Sequence, residues 1–100
     1  MIKISIKNQF KDDYISRVAG ERLRLVILEA KEKGSKVQID FSGVIVGSTS
    51  FFDEAIAKLA EEGWDSKILK ETVILKGINK LDFEVLKKVA KYRGLVIKLT

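Results

Sequence analysis

Between residues 14 and 33 the chain places Ala19, Leu23, Val26, Ile27 and Ala30 at i, i+4, i+7, i+8 and i+11. That spacing is one face of a 3.6-residue period, and Gly34 ends it, so a long amphipathic helix is predicted there. On its N-terminal side Ile2, Ile4 and Ile6 alternate with Lys3, Ser5 and Lys7, which predicts a half-buried strand over 2–7. On its C-terminal side Val37, Ile39 and Phe41 alternate in the same way and predict a strand over 36–41. A second helix is expected from near Ser50 to Gly63, with the stripe Phe52, Ala55, Ile56, Leu59 and Ala60. Trp64 then supplies the apolar contact that accompanies a glycine stop. Thr72-Val73-Ile74-Leu75 reads as a strand covered on both faces. Leu81, Val85, Leu86, Val89 and Ala90 give a third helix over 80–93, closed by Gly94, and Leu95 to Leu99 reads as a last strand. The order is βαβαβαβ. Strands separated by helices of this length favour parallel neighbours and right-handed crossovers. The expectation is a single small α/β domain over 1–100, with a four-stranded, mainly parallel or mixed sheet and three helices.

Composition narrows the function. The 100 residues include neither cysteine nor histidine. Disulfides, thiolate metal sites and cysteine nucleophiles are excluded, and the commonest general base and metal ligand are missing. The chain is therefore expected not to be an enzyme and to carry no cofactor and no metal. There is no proline, low-complexity tract or linker that would divide it. No apolar stretch approaches the roughly 18 residues that span a bilayer. With a strand pattern at its start, the chain is expected to be cytoplasmic and not membrane-bound. The net charge of +5 raises the question of nucleic acid. Basic residues gather at Lys80, Lys87, Lys88, Lys91 and Arg93, which reads either as a solvated helix face or as a phosphate-binding surface. Leu25 and Leu28 lie off the first helical stripe, where they either widen the core contact or form a partner surface.

Polar chemistry concentrates between Asp40 and Glu54. A strand ends in Asp40, a loop punctuated by Gly43 and Gly47 follows, and Ser48, Thr49 and Ser50 open the second helix. In a parallel sheet, working sites gather beyond the carboxyl ends of the strands, where this segment falls. The glycines lack the Gly-Lys-Ser/Thr ending of a phosphate-binding loop, and no histidine stands ready to activate a serine. Two readings of Ser50 stand: a helix cap with Asp53 three residues on, or a hydroxyl that accepts a phosphoryl group. Asp40 is expected to organise the loop by accepting backbone N–H groups. Phe52 belongs to the buried stripe. Phe51 lies about 100° away and either tucks into the core or meets a partner.

The run Asp40-Phe41-Ser42-Gly43-Val44, followed by Ser50-Phe51-Phe52-Asp53-Glu54, resembles the STAS-like domain family of unknown function. Arg17, Gly20 and Leu23-Arg24 resemble that family's first-helix pattern, so the likeness covers roughly residues 15–95. The wider resemblance is to STAS domains, named for sulfate transporters and anti-sigma-factor antagonists. These carry Asp-Ser-Ser-Gly at the same helix start, with the second serine phosphorylated by a partner kinase. Counting from Asp40 places Ser50 on that serine, Thr49 on the first serine, Ser48 on the acid and Phe51 on the glycine. The resemblance implies a regulatory protein–protein interaction module whose partner is a histidine-kinase-like ATPase. Its docking and phosphorylation face would be Asp40, Ser48, Thr49, Ser50, Phe51, Asp53 and Glu54. Nucleic-acid binding through the basic last helix is the alternative.

Overall fold

A computed structural model describes residues 1–98. Its sheet has three parallel strands, β1 (Ile2–Ser5), β2 (Val37–Asp40) and β3 (Val73–Lys76), in the order β1-β2-β3. The register aligns Ile4 with Ile39 and Leu75, and Ile2 with Val37 and Val73. These residues share one face of the sheet, and Ile4, Val37 and Ile39 are buried in the core. The opposite face carries Lys3, Gln38 and Ile74, none of them buried. Five helices accompany the strands: α1 (Ile6–Gln9), α2 (Arg17–Glu32), α3 (Thr49–Ala55), α4 (Ser66–Thr72) and α5 (Lys80–Tyr92). A 3₁₀ segment, Ala57–Glu62, continues from α3.

The α/β class and the parallel strands agree with the sequence pattern, whereas the count of four strands and three helices does not. The first strand stops at Ser5 because the Ser5 hydroxyl accepts from the Asn8 N–H and turns Ile6 into the first residue of α1. The long helix begins at Arg17 and not near residue 14. Asp13 accepts the Ile15 and Ser16 N–H groups, and Ser16 caps the helix through the Ala19 N–H. The predicted helix ending at Gly63 divides at Ile56, whose φ of −124° leaves α geometry, and finishes as 3₁₀. Trp64 follows and is buried, its N–H donating to the Leu59 carbonyl. Residues 66–72 form α4, which the sequence pattern left unassigned; Asp65 caps it through the Ile68 N–H. Thr72 thus closes a helix and does not start a strand.

The last expected strand is also corrected. Leu95 to Lys98 are not paired as a strand, and Leu99 lies outside the described residues. The Val96 N–H donates to the Ser66 hydroxyl at 2.8 Å, so this segment is anchored to the start of α4 instead of to β3. Among the described residues β3 is consequently an edge, and Val73, Ile74 and Leu75 are each only half-buried, not covered on both faces. Off the α2 stripe, Leu28 packs against the core while Leu25 stays exposed.

Helix α3 is the middle of the molecule. Phe51, Phe52, Glu54 and Ala55 are all buried, with α2 on one side and α5 on another. The approach of α2 depends on Gly20. A Cβ there would lie 2.7 Å from both the Glu54 Cβ and the Phe51 carbonyl oxygen. Glycine in a helix interior sacrifices up to about 1 kcal/mol relative to alanine, so its presence marks a contact that needs the space. Gly20→Ala is expected to lower the unfolding free energy by about 1–3 kcal/mol through overpacking. Urea denaturation measures this, and a gain in stability would contradict the close crossing.

Candidate functional site

The polar residues around α3 fall into two groups, one facing inward and one facing outward. The inward group is an ion cluster at the α2–α3 crossing. Glu54 receives Arg17 Nη1 at 3.0 Å and Lys58 Nζ at 2.7 Å on one carboxylate oxygen, and Arg24 Nη1 at 3.0 Å on the other. Arg24 also donates to the Glu54 backbone carbonyl. Asp53 is held in two-point fashion by Arg93, with Nε at 2.7 Å and Nη2 at 3.0 Å, and takes a further contact from Arg17 at 3.1 Å. Arg93 also reaches Glu61 at 2.7 Å. One pair of adjacent acids thereby ties α3 to α2 and to the end of α5.

This geometry controls ionisation. The hydrogen bond from Lys58, then those from Arg24 and Arg17, outweigh burial and hold the Glu54 carboxyl down at about 2, against its ordinary 4.5. Arg93, followed by Arg17, lowers the Asp53 carboxyl in the same direction. A carboxylate with a depressed folded-state pKa contributes its full stabilisation above the ordinary value and loses it as pH falls towards the folded value. Glu54→Gln is therefore expected to cost about 3 kcal/mol at neutral pH. The gap in thermal midpoint between this variant and the wild type should close as pH drops from 4.5 towards 2. Thermal scans across that range check it, and a gap independent of pH would contradict the clamp.

The outward group is the loop between β2 and α3. Asp40 at the end of β2 accepts the Ser42 N–H at 2.8 Å, and Ser42 lowers its pKa. Gly77 backs this turn: its φ is +66°, and a Cβ would sit 2.2 Å from the Ser42 hydroxyl. Val44 and Val46 are buried while Ile45 between them is 71% exposed. Asp82, itself fully buried, accepts the Val46 N–H at 2.7 Å and the Gly47 N–H at 2.8 Å. Asn79 donates its amide to the same carboxylate and caps α5 through the Asp82 N–H. Ser48 closes the loop. Its hydroxyl donates to the Ile15 carbonyl at 2.6 Å and accepts the Phe51 N–H at 3.2 Å.

Several expectations change accordingly. The cap of α3 is Ser48, and Ser50 is the second helical residue, because the Phe51 N–H is the donor within reach of Ser48. Of the two readings of Phe51, the structure shows the core one: its ring is fully buried, edge-on to Phe10 and Phe52. Asp53 and Glu54 are committed to arginines and lysine within the fold. Thr49 is exposed and Ser50 half-buried, and neither hydroxyl makes a hydrogen bond among the described residues. No hydrogen bond joins Asp40 to Ser48, Thr49 or Ser50 among those residues. The basic end of α5 is thinner than its sequence suggests, because Arg93 is paired and Lys87 contacts Glu84 and the Phe83 ring.

Sequence reasoning missed Asp82, although Asn79 three residues before it is a recognisable capping signal. It also missed Ile45 and Ile15, exposed by 71% and 54%, and it set Leu81 on the inward stripe of the last helix, whereas Leu81 is 69% exposed at the first turn of α5. Ile45 lies within the loop that Asp82 pins, and the Ile15 backbone meets its end through the Ser48 hydroxyl. Among the described residues no cluster of three or more candidate ligands could hold a metal ion, and no helix is long and apolar enough to cross a membrane.

A three-stranded parallel sheet with five helices, carrying its polar loop beyond the strand ends, defines a small STAS-like α/β domain. The family model described as a STAS-like domain of unknown function matches residues 19–84, and the chain belongs to that family. Neither a curated protein nor a solved structure matches it.

Proposed function

We propose that this chain is a non-enzymatic, cytoplasmic regulatory module that docks a protein partner through the loop Ser42–Ser48. The observation that carries the reading is Ile45. Buried valines on both sides and the Asp82 carboxylate hold its backbone, while its side chain stands in solvent. A fixed apolar side chain avoids most of the ordering cost of binding, which is what an interface anchor requires. Ile15, whose carbonyl accepts the Ser48 hydroxyl at the end of the loop, is exposed as well. The class of partner, a histidine-kinase-like ATPase, is supported by the resemblance of the Asp40-to-Glu54 segment to STAS domains.

The face has a built-in point for charge control. The Ser48 hydroxyl is occupied as donor and acceptor, whereas Thr49 and Ser50 are free to be phosphorylated. Ser50 precedes Asp53 and Glu54 by one helical turn, so a phosphoryl group there repels both acids and competes for Arg17, whose side chain is 56% exposed. Phosphorylation would thus place negative charge beside the end of the docking loop and strain the α2–α3 clamp beneath it.

The test combines capture and stability. With the ATPase-type partner isolated from the source cell, Ile45→Glu is expected to weaken binding by about tenfold or more while leaving the thermal midpoint within a degree or two of wild type. Ser50→Asp should weaken binding as well. If Ile45→Glu binds as wild type does, the loop is not the docking face.

A further inference from the structure

The second surface is the free edge of β3, well separated in sequence from the loop. β3 pairs with β2 on one side and with no strand on the other among the described residues. Its sequence, Val73-Ile74-Leu75-Lys76, is apolar, yet none of the first three side chains is fully covered. Exposed edges are usually blunted by charge, proline or a bulge, because an unpaired row of N–H and C=O groups templates another strand. This edge, with lysines around it but neither proline nor acid in its strand, borders a cavity of about 380 Å³. Val73, Ile74 and Leu75 line it together with Val96, Ile97 and Lys98, and α4 contributes Leu69. Val96, Ile97 and Lys98 line the same cavity as β3, and Val96 is tethered to Ser66.

We infer that this groove accepts an extended segment of a partner protein, which adds to β3 as a further strand and carries acidic residues beside alternating apolar ones. Strand addition supplies main-chain hydrogen bonds for affinity, and alternate side chains enter the groove. Charge sets the chemistry of the occupant. The lining includes Lys67, Lys70 and Lys98 and no acid. Lys67 has only a long contact of 3.9 Å to Glu71, and both side chains are largely exposed. A second copy of this chain pairing edge to edge would bring the same lysines face to face, which opposes self-association. An acidic strand meets them favourably. Val73 and Leu75, on one face of the sheet, and Ile74, on the other, offer apolar contact on both sides of the incoming strand.

Selection of short random peptides displayed against the whole chain tests this. The enriched sequences should alternate apolar with acidic residues and lack proline. A synthetic peptide of the enriched sequence should slow amide hydrogen exchange in Val73–Lys76. Lys70→Glu, an exposed change, should weaken that peptide by about tenfold, and replacing the peptide's acids by lysines should do the same in the wild type. Enrichment without acidic residues, or protection confined to elements other than β3, would overturn the inference. So would slow exchange of β3 that rises with protein concentration in the absence of peptide, which would make a second copy the occupant.

Discussion

The rest of the structure depends on the Glu54 carboxylate. A charge taken largely out of water is costly unless it is paired and hydrogen-bonded. Arg17, Arg24 and Lys58 supply three cations within 3.0 Å. Gly20 lets α2 come close enough for its arginines to reach, and the adjacent Asp53 extends the same arrangement to Arg93 at the end of α5. With α3 clamped between α2 and α5, Phe51 and Phe52 have nowhere to go but inward. The position of Ser48 follows, and with it the start of the loop that presents Ile45.

This arrangement separates two roles within one stretch of sequence. Asp53, Glu54 and Phe51 point into the protein and work with Arg17, Gly20 and Arg24 to fix helix packing. The residues that carry the resemblance to the family are thus, in large part, those that hold α2 against α3. What remains for recognition is the outward side: the Ser42–Ser48 loop, Thr49 and Ser50, with Asp82 acting from below as the anchor of two loop N–H groups. Recognition here is a property of a rigid loop whose backbone groups are satisfied inside the domain.

Much of the fold was legible in the sequence where one face of an element meets the core and the other meets water. Ala19, Leu23, Ile27 and Ala30 are buried in α2 as their spacing predicts, and Val37 and Ile39 mark β2. Legibility failed where burial has no single side. In α3 both phenylalanines are inside, so periodicity could not separate Phe51 from Phe52. The seven residues of α4 are too few to display a helical period. Leu95 to Lys98 have a strand's pattern, but pairing is decided by the neighbour, and the Ser66 hydroxyl takes the Val96 N–H. At the site, the choice between Ser48 and Ser50 as cap turned on which hydroxyl reaches the Phe51 N–H. The role of Asp82 depends on a contact made across 36 residues of chain to Val46.

The account rests on Glu54 and Arg24 acting as one structural unit across the α2–α3 crossing. A double-mutant cycle of Arg24→Ala and Glu54→Ala, read by chemical denaturation, measures that directly. The expected result is a coupling energy of about 1–3 kcal/mol between the two sites. Additivity to within about 0.5 kcal/mol would show that the cluster does not hold the helices together.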